Sequence, residues 1–392
     1  MRRTQLLQEI RIMRFEEAYT SWQRRSLTQE EAANLLGMSD RTFRRYISRY
    51  EDGGLEGLFD RRLSRESMRK APVDEVLKLM DLYRERYSGF TVKHFYSWYR
   101  RAHGGGRSYT WVKNTLQARG LVKKAPRRGA HRKKRMRAPY AGMMLHQDGS
   151  DHEWVEGKRW DLIITMDDAT SEHYSMFFVL EEGTWSSFRG ISDVIERKGL
   201  FASLYTDRGS HYWYTPKEGG KVDKYRPTQF GRAMKQLGIE MIPAYSPEAR
   251  GRCERAFKTH QGRLPKELAL AGITNMEEAN RYLEEVYRPA FNEEFTVKPT
   301  EEEDLFVKWA GGQLDHILCE QFNRTVRNDN CVVFKNLTLQ IPKDKYRCHY
   351  VKVKIKLHRY ANGNFAIFHG QRKLAEYDSK GNPLKKKTYT AA

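Results

Sequence analysis

Three acidic residues of this sequence, Asp148, Asp207 and Glu254, are placed where folding could bring their carboxylates together. Asp207 follows the apolar run 201–205 and precedes a turn, so it is expected at the carboxyl end of a buried strand. Asp148 follows a second apolar lead-in, and Glu254 borders the apolar stripe of a helix. Open sheets bind ligands at the carboxyl ends of their strands, so one shared site is expected there.

The chemistry open to three carboxylates is the binding of hard metal ions, Mg²⁺ or in its place Mn²⁺. Beside strongly basic segments, they predict two Mg²⁺ ions that clamp a phosphodiester. One ion would lower the pKa of an attacking water or 3′-hydroxyl, and the other would stabilise the leaving 3′-oxygen. The chain has 50 acidic residues, so a surface charge or a helix cap is the alternative for each of the three.

Other polar residues compete for the same role. Asp167 and Asp168 follow a predicted strand and are expected to cap the next turn. Asp151 lies three residues after Asp148 on the opposite face of a strand, so the two cannot point into one site. His146 could orient a ligand, although a lone histidine beside a sheet is more often structural. No glycine-rich phosphate-binding pattern occurs, so no nucleotide cofactor is predicted.

The elements that must position the three carboxylates form a recognisable order. Three strands come first, the last two near 161–166 and 174–180, followed by a helix at 185–197 and the strand that ends at Asp207. A helix at 229–237, a short strand at 240–242 and the Glu254 helix complete the series. This order, βββαβαβα, predicts an α/β ribonuclease-H-like core with a mixed five-stranded sheet. Its first and fourth strands are neighbours, so Asp148 and Asp207 would lie side by side.

Six short segments in this order carry a resemblance to a known family. The sequence resembles insertion-sequence transposases with the integrase-type catalytic core, most closely the ISNCY group. The segments are residues 146–151, 166–170, 205–210, 228–233, 237–240 and 246–255. The resemblance implies that Asp148, Asp207 and Glu254 form the catalytic, metal-binding triad. It also implies that the protein nicks DNA at the terminal inverted repeats of an element and joins the freed 3′-hydroxyl to target DNA.

The distribution of charge points to the same partner. The chain carries 71 Lys and Arg against 50 Asp and Glu, a net charge of +21, and residues 1–140 hold 33 of the basic and only 15 of the acidic residues. An excess confined to one region is typical of a polyanion-binding surface, here double-stranded DNA. A solvated basic surface or a solubilising tail is the alternative.

A helix-turn-helix is predicted in the first part of this basic region, residues 1–62. Thr28 with Glu31 forms a capping box, Gly37 makes the turn, and Ser39 caps a second helix rich in outward-facing arginines. A plain helical hairpin is the alternative. The side chains predicted to contact DNA are Arg41, Arg44, Arg45 and Arg49 on this helix, Lys113 in the next module, and Arg255 and Lys258 beside Glu254.

The remaining boundaries follow from composition. A second helical or winged helix-turn-helix module is predicted over residues 71–124, and the catalytic core over 141–290. Between them, residues 125–140 predict a basic linker, for which a nuclear localisation signal is the alternative. Residues 291–325 predict a helical linker with a helix at 301–309, and 381–392 a basic tail. Pro265 is expected to end or kink the Glu254 helix. Period-2 alternation and the turn at Asn362-Gly363 predict a small SH3-like β-barrel over 326–380, whose lysine face binds DNA or faces solvent.

Four cysteines without a paired spacing predict neither a disulfide framework nor a zinc site. With no signal peptide or long apolar segment, the expected location is the bacterial cytoplasm, associated with the nucleoid and not with a membrane. A homodimer or larger multimer on DNA is expected, because one triad handles one phosphodiester and an element has two ends. The alternatives are a domesticated, non-catalytic DNA-binding regulator and a metal-dependent nuclease with the same core.

Overall fold

The computed structural model describes residues 3–59, 71–124, 136–217, 220–245, 247–344 and 346–384. The chain divides into two compact units, Met1–Tyr83 and Arg84–Ala392. The boundary between the units falls inside helix α4 (Val73–Arg86).

The first unit contains the predicted helix-turn-helix. Its helices are α1 (Arg3–Gln23), α2 (Gln29–Leu35) and α3 (Asp40–Gly57). The capping box is confirmed, because the Glu31 amide donates to Thr28 Oγ1 at 3.2 Å and the Thr28 amide donates to Glu31 Oε2 at 2.7 Å. Gly37 makes the turn with a φ of +66°, a conformation that favours glycine. The helices enclose a small core that includes Phe15, Ala32, Ala33, Phe43 and Ile47.

The second unit begins with two more helices, α5 (Val92–His103) and α6 (Tyr109–Ala118). Gly104 ends α5 in the left-handed conformation, with a φ of +58°. Ser108 caps α6, since its hydroxyl accepts from the Trp111 amide at 3.3 Å.

A mixed five-stranded sheet forms the centre of this unit. Its strands are β1 (Met144–Val155), β2 (Lys158–Asp167), β3 (His173–Val179), β4 (Ser203–Thr206) and β5 (Glu240–Pro243), in the order β3-β2-β1-β4-β5. The first three strands are antiparallel, and β4 is parallel to both β1 and β5. The predicted sheet, with its first and fourth strands as neighbours, is confirmed.

Helices cover both faces of the sheet. α7 (Thr184–Arg197) and α8 (Gln229–Leu237) lie on one face, and α9 (Pro247–Leu270), α10 (Met276–Tyr282), a π-helical stretch (Leu283–Tyr287) and α11 (Arg288–Phe295) lie on the other. Alternation along β1 separates the two faces, with Leu145 packed on the α7 side and Trp154 on the α9 side.

Two predictions about helices differ from the structure. Of the two outcomes expected at Pro265, an end to the helix is wrong, because α9 continues to Leu270 and Leu264 and Leu268 are fully buried on either side of the proline. The helix predicted at 301–309 is an extended segment whose backbone pairs with the core. The Val307 amide donates to the Leu200 carbonyl at 2.9 Å, and the Leu200 amide donates back at 2.7 Å. The expected helical linker 291–325 is therefore helical mainly in α11, and Leu314–His316 adds one 3₁₀ turn.

The C-terminal region is all-β, as predicted. Its strands are β6 (Glu320–Thr325), β7 (Cys331–Phe334), β8 (Leu337–Gln340), β9 (Lys354–Arg359), β10 (Phe365–His369) and β11 (Arg372–Tyr377). Within the described residues they form one sheet in the order β11-β10-β9-β6 and a separate β7-β8 pair, rather than one closed barrel. Gly363 makes the expected turn between β9 and β10, with a φ of +83°. Over the described residues, no helix is long and apolar enough to cross a membrane.

Candidate active site

The register between β1 and β4 determines how two of the three carboxylates meet. Leu145 pairs with Leu204 and His146 with Tyr205. Two residues further along, the same parallel register sets Asp148 beside Asp207, and neighbouring strands lie about 4.8 Å apart. Alternation puts both side chains on the α9 face of the sheet.

Local hydrogen bonds fix both of these aspartates. The Gly209 amide donates to Asp207 Oδ1 at 2.8 Å, so the turn after β4 folds back on the carboxylate. The Gly149 amide donates to Asp148 Oδ1 at 3.1 Å, and Asp148 is only 7% exposed. The carboxylate of Asp148 is therefore held within β1 and that of Asp207 just past the end of β4, before any ligand binds.

Tyr212 lies beneath the two aspartates on the α7 side. Its buried hydroxyl donates to Gln147 Oε1 at 3.1 Å. Burial, then the charges of Glu182, Asp148 and Asp207, raise the pKa of Tyr212 well above its usual value. The hydroxyl therefore stays protonated and remains a donor to the core of the site.

Glu254 is exposed on α9, and two contacts fix this helix against β1. Arg252 forms an ion pair with Asp168, which accepts a hydrogen bond from His146 Nε2 at 2.6 Å. Nine residues further along α9, the side-chain amide of Gln261 donates through Nε2 to Ser150 Oγ at 3.1 Å. Nine helical residues rise about 13.5 Å, and the four strand residues from His146 to Ser150 span about 13 Å. The helix therefore runs alongside β1, in the same direction as the strand, and Glu254 lies between the two anchored positions.

Asp168 is an anchor for this helix and not a cap for the turn. It is fully buried and accepts from His146, from the Ala138 amide at 2.7 Å and from Arg252. Burial disfavours its charge, but these donors hold the pKa of Asp168 well below its usual range. The expected capping role falls to Asp167 alone, whose Oδ1 accepts from the Thr170 amide at 2.9 Å.

The donor set suits a divalent metal ion in chemistry, but its three members do not converge. Across the part of the chain that the structure describes, no three His, Cys, Asp or Glu side chains are grouped closely enough to hold a metal ion. Asp148 and Asp207 are brought together, while Glu254 remains exposed on its helix. Asp151 is exposed and pairs with Arg159 at 2.5 Å, away from the site as predicted.

Comparison with known proteins finds one family for the N-terminal helices and similar proteins for longer parts of the chain. Residues 23–71 match the winged helix-turn helix family. The protein named "Putative transposase y4bF" from Sinorhizobium fredii (strain NBRC 101917 / NGR234) is 28% identical over 347 residues, which cover 87% of this chain and 75% of that protein. The sequence is therefore similar to a bacterial protein that is named as a transposase. The transposase for insertion sequence IS1202 of Streptococcus pneumoniae is 32% identical over 161 residues, 41% of this chain and 34% of that transposase.

Two solved structures to which the chain shows a weak similarity are an intasome and an integrase core. One is a simian T-cell lymphotropic virus intasome in complex with PP2A regulatory subunit B56 gamma, with a TM-score of 0.33, 14% identity, and coverage of 69% of this chain and 88% of that one. Another is the HTLV-2 integrase catalytic core domain in complex with magnesium, in its trimeric form. It has a TM-score of 0.30 and 13% identity, and the match covers 38% of this chain and 87% of that one. The fold described above rests on the strand order and not on these likenesses.

The residues predicted to contact DNA differ in their surroundings. Arg41 and Arg44 are exposed on α3, and Arg44 lies 3.8 Å from Asp40 on the same helix. Arg45 and Arg49 are exposed too, but they line a cleft of about 1090 Å³ between α1 and α3.

The three predicted DNA contacts of the second unit also differ. Lys113 is half-buried on α6. Arg255 and Lys258 are exposed on α9, where Arg255 directly follows Glu254 and Lys258 lies one turn beyond it.

Two functional features were missed by reasoning from the sequence. The anchor formed by Asp168 and Arg252 joins residues 84 positions apart, and no local pattern predicts such a contact. Arg137 donates to the Asp168 carbonyl at 2.9 Å and to Ser171 Oγ at 2.8 Å, so it fixes the end of the basic linker to the core. Within a run of basic residues, an arginine with this role looks the same as a DNA contact.

Proposed function

We propose that the chain is a DNA transposase that binds the terminal inverted repeats of its element, nicks the DNA at the element's ends and joins the freed 3′-hydroxyl to target DNA. The main support is the β1–β4 register, which sets Asp148 beside Asp207 under the helix that carries Glu254. Homology to transposases supports the same activity.

In this proposal, Asp148 and Asp207 hold two divalent ions, Mg²⁺ or Mn²⁺, and Glu254 completes the set. When bound, such ions activate the attacking oxygen and stabilise the leaving 3′-oxygen. The chain's own part is to fix the carboxylates. Backbone amides of Gly149 and Gly209 orient the two aspartates. The contacts of Arg252 and Gln261 hold the helix that carries Glu254 alongside β1.

The two chemical steps use the same site. In the first, a water oxygen bonds to the scissile phosphorus, the bond from phosphorus to the 3′-oxygen breaks, and that oxygen leaves as a 3′-hydroxyl. In the second, this hydroxyl bonds to a target phosphorus and displaces the target's own 3′-oxygen. Arg255 and Lys258 are exposed beside Glu254, where they would contact the phosphates on either side of the reacting one.

Recognition of the element's ends is assigned to the first unit. Arg41 and Arg44 face outward from the second helix of its helix-turn-helix, the position that reads the major groove. In the C-terminal sheet, the exposed Lys354 and Lys356 alternate with buried apolar residues and would add contacts to the DNA backbone.

The test is cleavage of a labelled duplex carrying the element's end, with Mg²⁺, by full-length Asp207→Asn. Because the amide lacks the charge that holds the metal, cleavage should fall to background while DNA binding is retained. Asp151→Asn is the matched control. Asp151 lies on the face of β1 opposite to that of Asp148, so this variant should cleave the duplex at the wild-type rate. Cleavage by Asp207→Asn at the wild-type rate would refute the proposal.

One observation favours a second candidate, a non-catalytic DNA-binding regulator. Glu254 is exposed and does not converge with the two aspartates. The same assay separates the two candidates. A regulator would bind the element's end with wild-type affinity but leave it uncut at every Mg²⁺ and Mn²⁺ concentration.

A further inference from the structure

The proposed mechanism makes no use of the long loop that follows Asp207. This loop, residues 213–226, joins the turn after β4 to helix α8, and residues 218–219 lie outside the described part. Its sequence contains two tyrosines and four basic residues. Tyr214 and Tyr225 belong to the loop, and Tyr245 approaches it from the end of β5.

The loop is fixed to the edge of the sheet at which Asp207 lies. Arg208, the residue next to Asp207, donates to the Gly220 carbonyl at 3.0 Å. Its guanidinium also lies 5.3 Å from the centre of the Tyr245 ring. The Tyr245 hydroxyl accepts from the Val222 amide at 3.4 Å. These contacts tie the loop to the ends of both β4 and β5.

Within the loop, a turn directs one aromatic ring into solvent. The Asp223 amide donates to the Tyr214 carbonyl at 2.8 Å, and Asp223 Oδ1 accepts from the Tyr225 amide at 2.9 Å. Tyr225 is 98% exposed, although it lies two residues from a fixed contact. Single exposed apolar residues are common on protein surfaces. At this exposure, however, the Tyr225 ring contributes no packing energy to the folded chain.

The surroundings of this ring are basic. Exposed cations flank it in sequence, and Arg226 also lies 4.2 Å from the centre of the Tyr214 ring. The only acidic residue described between 208 and 226 is Asp223, whose carboxylate is engaged in the turn. The exposed cations of the segment are Arg208, Lys217, Lys221, Lys224 and Arg226.

We propose that this loop binds a single DNA strand beside the site, with an unpaired base stacked on Tyr225 and its phosphates contacted by Lys224 and Arg226. The inference deepens the proposed function and rests on it for the identity of the DNA. Basic residues alone would suit duplex DNA as well. The projecting ring favours the single strand, because bases inside a duplex are stacked on both faces, whereas an unpaired base offers a free face to an aromatic side chain.

The experiment measures DNA binding by the full chain in EDTA, so its readout does not depend on cleavage. The probes are a duplex ending in a short single-stranded overhang with 2-aminopurine at its first unpaired position, the matching blunt duplex, and the overhang strand alone. The wild-type chain should quench the 2-aminopurine by stacking. Tyr225→Ala should abolish the quenching and weaken binding to the overhang duplex and the single strand about 10-fold, with the blunt duplex unaffected.

Two further variants show whether the ring is responsible. Tyr225→Phe keeps the ring and should restore both quenching and affinity. Tyr346→Ala removes a tyrosine that is 65% exposed in the C-terminal region and should bind all three probes like wild type. Because Tyr225 makes almost no packing contacts, its variants should also unfold at the wild-type temperature.

Three results would overturn the inference. The first is unchanged binding and quenching in Tyr225→Ala, and the second is an equal loss in Tyr225→Phe and Tyr225→Ala. The third is an equal loss on the blunt duplex, which would assign the loop to duplex DNA. Failure of the proposed function is seen separately, as normal cleavage by Asp207→Asn, and it leaves the binding result in place.

Discussion

Replacing Arg252 by alanine should loosen the helix that carries Glu254. Asp168, the partner of Arg252, is fully buried, and the arginine side chain is only 13% exposed. Removal of one partner from a buried ion pair costs about 3–5 kcal/mol, because the other charge remains buried without compensation. Asp168 keeps its hydrogen bonds from His146 and the Ala138 amide. Arg252→Ala is therefore expected to lower the free energy of unfolding by about 3 kcal/mol, the lower limit of that range.

The assay combines thermal unfolding with a thiol that lies next to the substitution. A loss of about 3 kcal/mol should lower the unfolding temperature of the second unit by about 6 °C. Cys253 is 5% exposed in the core beneath α9, and Cys348 is the one exposed cysteine of the four. In native wild-type protein, one thiol should react rapidly with a disulfide reagent. In Arg252→Ala, the start of α9 should separate from the sheet and a second thiol, that of Cys253, should react.

Arg255→Ala is the matched control, because it removes an exposed arginine from the same helix. It should leave both the unfolding temperature and the thiol count at their wild-type values. If Arg252→Ala behaved like this control, the ion pair with Asp168 would not be what fixes the helix. If Glu254 acts in the proposed site, Arg252→Ala should also slow cleavage far more than it weakens DNA binding.

Two more predictions concern pH and assembly. Burial lowers the pKa of His173 to about 4 from an ordinary value of 6.5, so its contribution to stability is complete above pH 6.5 and is lost as the pH falls toward 4. The free energy of unfolding should decrease by about 3 kcal/mol over that range, and a His173→Gln variant should show a flatter dependence in urea unfolding. Joining both ends of an element requires two sites, so light scattering on DNA carrying the element's end should give the mass of at least a dimer. A monomeric mass there would contradict this assembly.

The features that reasoning from the sequence predicted are those encoded by local patterns. The apolar run before Asp207 and the turn after it suffice to predict a strand with a carboxylate at its end. The order of strands and helices then makes β1 and β4 neighbours, because crossover connections in such sheets follow few topologies. The capping box at Thr28 and Glu31 predicted the start of α2 for the same reason, since its two partners are three residues apart.

The features that were not predicted depend on contacts between distant parts of the chain. Residues 301–309 contain Leu305 and Val307, which a local pattern assigns to a helix. Their backbone instead pairs with Ala141 and Leu200, more than 100 residues earlier. Likewise, nothing near Pro265 in sequence shows that α9 will continue past it. Burial of the neighbouring leucines in the sheet's core offsets the hydrogen bond that the proline cannot make.

If the predicted module at 71–124 binds DNA, the contacts of α9 connect that binding to the candidate site. Beyond Arg252 and Gln261, the helix carries Glu267, whose buried carboxylate lies 2.7 Å from His94 Nε2 on α5. A displacement of α5 would break this buried contact and leave the Glu267 carboxylate with the Tyr282 hydroxyl, which donates to it at 2.8 Å. The helix must therefore move with α5 or hold it in place. Glu254 lies on α9 between the anchored residues Arg252 and Gln261. A shift that brings Glu254 toward Asp148 therefore has to move the whole helix.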